Sequence, residues 1–162
     1  MSHALIPGSF DPMTLGHLDI VKRALGEYDR VTVAVMINES KAYAHTIEER
    51  AEMVRLTVAG LPRVSVVTDR GMLVDLFDRL GADVIVKGVR NERDRVYEEN
   101  MAAYNLSKNP RAKTVLYEAE AARDDLSSTL VREKLSKGER PEGLLAPAVL
   151  DFLVARGECP SQ

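Results

Sequence analysis

Short apolar runs alternate along this chain with stretches whose apolar residues recur every three or four positions. Ala4–Ile6 reads as a short buried strand, and the helical pattern that starts near His17 places Leu18, Val21, Leu25 and Tyr28 on one face. Val31–Ile37 is a near-continuous β-branched run, as expected of a strand covered on both faces. Thr46 with Glu49 three residues later predicts a capping box, and the helix it opens aligns Ile47, Ala51, Val54 and Val58 until Gly60 and Pro62 stop it. Val64–Val67 is a third strand. Met72–Leu80 is a short helix with Leu73, Leu76, Phe77 and Leu80 inward, closed by Gly81. Asp83–Lys87 is a fourth strand, Asp94 to about Ser107 a charged helix broken by Asn109-Pro110, and Lys113–Tyr117 a fifth strand. A helix opens at Leu126-Ser127-Ser128-Thr129 and runs through Lys137. A last one, Ala146–Arg156, has Pro147 in its first turn and Gly157 after its end.

The alternation of strands and helices implies right-handed crossovers. The expected fold is α/β, a Rossmann-like open sheet of five mostly parallel strands with helices on both faces, as one domain over residues 1–162. Ligands of such sheets sit at the carboxyl ends of the strands, near the switch in strand order. The segments Gly8–His17, Asn38–Lys41, Asp69–Leu73, Gly88–Arg90 and Arg123–Thr129 should therefore meet in one place. No G-x-G-x-x-G follows a strand, so a dinucleotide oxidoreductase is unsupported.

Composition alters this picture little. Charged residues make up 29% and hydrophobic ones 45%, as in an ordinary globular protein. A net charge of −3 argues against non-specific nucleic-acid binding, though basic residues in a cleft still permit an anionic substrate. The single cysteine, Cys159, forms no internal disulfide, which fits a reducing, cytoplasmic setting. There is no signal-peptide pattern at the N-terminus and no apolar stretch of membrane-spanning length.

Candidate chemistry gathers on the loop Pro7-Gly8-Ser9-Phe10-Asp11-Pro12-Met13-Thr14-Leu15-Gly16-His17. Gly8 lets a ligand approach the backbone. The helix start offers unpaired N–H groups suited to phosphate, and His17 adds a side-chain donor on the first turn. Lys41 after the second strand is a phosphate contact. Lys87 and Arg90 bracket Gly88 after the fourth, so that one cation can serve each of two phosphates. Of the hydroxyls Ser127, Ser128 and Thr129, one suffices to cap the helix, which leaves two as spare donors at an anion-friendly end. Asp94 and Glu98 lie four apart on a helix, a spacing that also arises from plain surface charge patterning. No His/Cys/acid cluster has metal-ligand spacing, and neither a Ser-His-acid set nor a nucleophilic cysteine is legible. Donors and cations without a base suit attack by a nucleophile that is already anionic, such as a phosphate on the α-phosphorus of a nucleoside triphosphate.

Gly8-Ser9-Phe10-Asp11-Pro12 followed by Thr14-Leu15-Gly16-His17 resembles the nucleotidyltransferases with a [HT]-x-G-H motif, and most of all the bacterial phosphopantetheine adenylyltransferases. The resemblance runs from Leu5 to at least Arg132. It includes Ser40-Lys41, Thr46-Ile47-Glu48-Glu49-Arg50, Met72-Leu73, Lys87-Gly88-Val89-Arg90, Asp94 with Tyr97-Glu98, and Ser127-Ser128-Thr129. It implies transfer of AMP from ATP, with Mg²⁺, to 4′-phosphopantetheine, giving dephospho-coenzyme A and pyrophosphate. By the same resemblance His17 holds the α-phosphate and stabilises the transition state, with Lys41 and Arg90 beside it in the catalytic set. Ser9, Phe10, Gly88, Val89, Arg90, Glu98 and the segment Arg123, Asp124, Asp125, Leu126, Ser127, Ser128 and Thr129 line the ATP site. Ser9, Lys41, Leu73 and Lys87 hold the acceptor. A homohexamer inhibited by coenzyme A is also implied.

The chain departs from the family pattern in three places. Arg95 stands where an aromatic is usual, Arg123-Asp124-Asp125-Leu126 replaces an often aromatic loop, and Tyr104 replaces a frequent methionine. Two alternatives remain open. Leu126-Ser127-Ser128-Thr129-Leu130-Val131-Arg132 also resembles the adenylyltransferases of nicotinamide or nicotinate mononucleotide, and a non-catalytic nucleotide-binding protein could keep the same fold.

Overall fold

The computed structural model describes residues 1–38, 40–119 and 127–161. Its elements are β1 (His3–Gly8), α1 (Leu15–Glu27), β2 (Arg30–Met36), α2 (Ile47–Val58), β3 (Val64–Asp69), α3 (Leu73–Leu80), β4 (Val84–Val89), α4 (Glu92–Lys108), β5 (Thr114–Glu118), α5 (Ser128–Ser136) and α6 (Pro147–Ala155). The strands form a five-stranded sheet in the order β3-β2-β1-β4-β5. Every pairing is parallel, so the expected "mostly parallel" sheet is fully parallel.

The strand period of two sorts the core. Ala4, Ile6, Val31, Val33, Val35, Val84 and Val86 face α1 and α2, where Ile20, Val21, Ala24, Ile47, Ala51, Val54 and Val58 complete one cluster. Leu5, Ala34 and Ile85 face the other way, onto Val74, Leu76 and Phe77 of α3. A third cluster packs Met53 of α2 against α5, α6 and the 144–146 segment. The helix signals read from sequence hold. Thr46 and Glu49 form a reciprocal capping box, Gly81 ends α3 in the left-handed region at φ 65°, and Pro147 opens α6. Most strands run one or two residues past the apolar runs that announce them, because ladder bonds continue onto Gly8, Asp69 and Val89.

One feature of the register shapes the site. β1 pairs with β2 over six positions, from His3 to Gly8, but with β4 only at Ala4↔Val84 and Leu5↔Ile85. Beyond that point the two strands part. This is also where strand order reverses, so the sheet opens a crevice at the carboxyl ends of β1 and β4.

Candidate active site

A cavity of about 550 Å³ fills this crevice. Its lining includes Ser9, Phe10, His17, Lys41, Leu73, Lys87, Gly88, Val89, Arg90, Glu98, Ser127, Ser128 and Thr129. The loops after β2 and β3 bring Lys41 and Leu73 from one side. The turn after β4 and the start of α5 bring Arg90 and Thr129 from the other, with β1 and His17 between them. Five separate chain segments named from sequence thus converge. Arg123, Asp124, Asp125 and Leu126 lie outside the described residues.

The start of α1 is built around an unusual capping box. Thr14 is the N-cap, and His17 takes the place usually held by Glu or Gln. The Thr14 N–H donates to His17 Nδ1 at 3.0 Å. A backbone N–H can only donate, so Nδ1 carries the lone pair and the ring proton sits on Nε2. Burial and the charges of Lys87 and Arg90 push the His17 pKa down to about 4. The ring is therefore a neutral Nε2–H donor at physiological pH, oriented by the helix it begins. In the same turn the Leu15 N–H goes to the Leu144 carbonyl, and the His17 and Leu18 N–H groups go to Thr14. The Gly16 N–H finds no acceptor among the described residues, and Gly16 lines the cavity. It is available to an anion.

Gly8 is required by close packing. A Cβ there would lie 2.9 Å from the Phe10 ring, which itself meets the His17 ring edge-on at 5.1 Å between centroids. Phe10 has φ 50°, the left-handed region, where a bulky residue is strained. Arg50 holds the loop in that shape. It is 1% exposed, and its guanidinium donates to the carbonyls of Ser9 at 2.7 Å, Met36 at 3.1 Å and His45 at 3.2 Å. Its plane lies over the Tyr43 ring at 3.9 Å. Arg132 adds a bond from its guanidinium to the Asp11 carbonyl at 2.7 Å, and the Asp11–Pro12 peptide is cis.

The cations are differently placed. Lys41 reaches Ser9 Oγ at 3.3 Å and is otherwise exposed. Lys87 pairs with buried Glu98 at 3.2 Å and approaches the Pro7 carbonyl at 3.5 Å, bridging the gap between β4 and β1. Arg90 pairs with Asp94 at 2.9 Å. Asp94 and Glu98 are thus the counterions of Arg90 and Lys87, and surface patterning does not account for them. Neither carboxylate is left as a free base.

One expectation is corrected. Ser127 caps α5, accepting from the Leu130 N–H at 3.1 Å, as predicted, but Ser128 is not a spare donor. Its hydroxyl donates to the Pro12 carbonyl at 2.7 Å and ties α5 to the loop after β1. Thr129 Oγ1 accepts from Arg132 at 3.2 Å and so keeps its own proton free to donate. Sequence reasoning also assigned no role to Thr14, Arg50 or Arg132. Thr14-x-x-His17 and the arginine of Thr46-Ile47-Glu48-Glu49-Arg50 were the available signals.

A family model described as cytidylyltransferase-like matches residues 5–134. The chain is also 46% identical over 138 residues to the phosphopantetheine adenylyltransferase of Limosilactobacillus reuteri, covering 85% of this chain and 80% of that one. The chain belongs to the cytidylyltransferase-like family, in its phosphopantetheine adenylyltransferase branch. The enzyme of that name from Symbiobacterium thermophilum is 44% identical over 91% of each chain. That from Limosilactobacillus fermentum is 42% identical over 98% of this chain and 91% of its own. The match to the family model ends in the last turn of α5, so it spans every segment that lines the cavity.

Proposed function

We propose that this nucleotidyltransferase moves the adenylyl group of ATP to 4′-phosphopantetheine, giving dephospho-coenzyme A and pyrophosphate. The observation that carries the chemistry is a neutral Nε2–H on His17, set among Lys41, Lys87 and Arg90, with Glu98 and Asp94 paired to Lys87 and Arg90. Such a site offers donors to phosphate oxygens, and the reaction they serve needs no base. An acceptor phosphate oxygen attacks the α-phosphorus, the bond from that phosphorus to the bridging oxygen breaks, and pyrophosphate leaves with the electron pair. No proton need be removed from the nucleophile. His17 Nε2–H and the Gly16 N–H donate to non-bridging oxygens whose charge grows in the transition state. Arg90 and Thr129 hold the nucleotide's phosphates. Lys41, Lys87, Ser9 and Leu73 hold the acceptor, and the two sides of the crevice give each substrate its own approach to His17. The relatives' shared name, over most of each chain, favours this acceptor above a pyridine mononucleotide.

Magnesium belongs to this reading as part of the nucleotide substrate. Among the described residues no group of three or more His, Cys, Asp or Glu side chains could hold a metal ion, and the donor set suits a cation that arrives on ATP. When bound, it shields phosphate charge. A homo-oligomer, hexameric in the family resemblance, is supported by an exposed apolar stripe on α4. Inhibition by coenzyme A follows from its sharing both halves of the product. A cytoplasmic setting fits a chain whose described helices include none long and apolar enough to cross a membrane.

The test is pyrophosphate release from ATP and Mg²⁺ with 4′-phosphopantetheine, nicotinate mononucleotide or nicotinamide mononucleotide as acceptor. Release with phosphopantetheine alone is expected. Release only with a mononucleotide would replace the acceptor, and ATP binding without any release would make this a binding protein.

A further inference from the structure

Behind the acceptor wall of the cavity lies a buried group that the reaction above does not use. His45 is buried, and both of its ring nitrogens meet carboxylates. Nδ1 lies 2.9 Å from Asp11 Oδ1, and Nε2 lies 2.6 Å from Glu158 Oε1. A neutral imidazole donates through one nitrogen and would turn a lone pair on the second carboxylate. Both contacts are satisfied together only by the imidazolium.

The surrounding bonds make His45 a junction. Asp11 Oδ2 also accepts the Ala44 N–H at 2.7 Å, so the Asp11 side chain holds two consecutive residues of the segment that follows Lys41. Asp11 itself lies in the loop that carries Ser9, two residues away. On the far side, Glu158 accepts from Arg156 at 2.6 Å, and Arg156 pairs with Glu49, whose other oxygen caps the Thr46 N–H at 2.8 Å. Ser9, Asp11, Lys41 and Tyr43 line the cavity, and neither His45 nor Glu158 is in its wall.

We propose that His45 is a positioning residue for the acceptor: held between Asp11 and Glu158, it locks the Ser9–Asp11 loop, the Lys41 segment and the C-terminal residues 156–158 into one unit. The proposal rests on the functional reading above and adds the C-terminal segment to the framework of the site. It acts on the acceptor because Ser9 and Lys41 are the groups displaced when the junction loosens, whereas Arg90 stands on another element and α5, which carries Thr129, keeps its own bonds from Ser128 and Arg132 to the Pro12 and Asp11 carbonyls. The charged groups facing the junction are Asp11 and Arg132 from the loop and α5, Glu49 and Arg50 from α2, and Arg156 and Glu158 from the chain after α6. Hydrogen bonds donated to the two carboxylates, Asp11 first and then Glu158, outweigh burial and raise the His45 pKa above its ordinary 6.5. The lock is therefore complete below that value and opens as pH rises through the raised one.

The test compares the full chain with His45→Gln and Glu158→Gln, measuring KM for phosphopantetheine and for ATP across pH, with thermal midpoints alongside. In His45→Gln the acceptor KM should rise about tenfold, the scale of losing one charge-assisted bond, with ATP KM within about twofold. The alkaline rise of acceptor KM in the parent should vanish in His45→Gln and move to lower pH in Glu158→Gln. Nitrogen-15 NMR of the parent should find His45 doubly protonated near neutral pH. A folded His45→Gln with the parental acceptor KM, a parallel loss across both substrates, or a neutral His45 ring would overturn the proposal. If His45→Gln fails to fold, the half-exposed Glu158→Gln decides it: a parental KM and pH profile there would equally overturn it. Absence of turnover with phosphopantetheine in the parent would instead remove the functional reading. The protonation state found by NMR would then judge the lock alone.

Discussion

The single most informative side chain is His17, because its partner fixes its proton. With Nδ1 engaged by the Thr14 N–H, the ring is a one-sided donor, and a pKa of about 4 keeps it so. Removing such a donor from a developing phosphorane charge should lower kcat by about a hundredfold. In His17→Ala, initial rates should show that fall with a much smaller change in ATP KM, since the bond strengthens in the transition state. A variant of unchanged kcat would remove His17 from the mechanism. The same depressed pKa has a stability consequence. Between about 4 and the ordinary 6.5 the unfolded chain takes up a proton at His17 that the native one refuses. His17 therefore makes the fold less stable as pH falls through that window, and His45, whose pKa is raised, acts in the opposite sense above 6.5. The sequence announced His17 as a donor on a helix's first turn. It did not announce the tautomer, which depends on a backbone N–H that only the folded loop aims. Ser128 was misread for a related reason. Three hydroxyls in a row do not reveal that the middle one faces a carbonyl 116 residues earlier.

At the level of elements, the site depends on the ends of β1 and β2 being held in register with the start of α2. Arg50 does this from inside. It leaves α2 and donates to the carbonyls of Ser9, Met36 and His45, with the Tyr43 ring closing over it. No lysine can serve several carbonyls from one planar fork, so Arg50→Lys is not conservative here. It should lose at least one charge-assisted bond and lower unfolding stability by about 2 kcal/mol, measured by urea denaturation. An unchanged midpoint would show that the carbonyls are satisfied without the guanidinium. The elements themselves were largely legible, since period and caps agreed wherever a helix or strand was expected. The arginine was not, because a charged residue that follows Glu48 and Glu49 reads as solvent-facing. Its burial follows from tertiary placement of three carbonyls that sequence periodicity does not register.

At the scale of the whole molecule, strand order explains why the sequence motifs meet. The alternation of elements foretold a parallel sheet, but the two-position pairing of β1 with β4, which opens the crevice, has no signature in the apolar pattern. The outer surface offers a further argument. α4 is the wall of the crevice at Glu98 and Asn105, yet Tyr97, Met101 and Tyr104, at helical spacing, are 59%, 39% and 48% exposed. With Val96 and Leu106 also exposed on the same helix, these side chains form the kind of surface that a partner covers. In the homo-oligomer proposed above a second copy would cover it, and since Tyr97 and Met101 also line the cavity, a neighbouring subunit there would border the acceptor and nucleotide sites. Tyr104→Glu would place a charge in that contact without touching the cavity lining. Sedimentation should find the parent as an oligomer and this variant as a smaller species at equal concentration. If the smaller species also loses activity while its fold, by circular dichroism, is retained, assembly completes the site. If activity per chain is unchanged, each subunit works alone and the stripe serves association only. A monomeric parent would leave the stripe without a second copy to cover it and end the proposal of self-assembly.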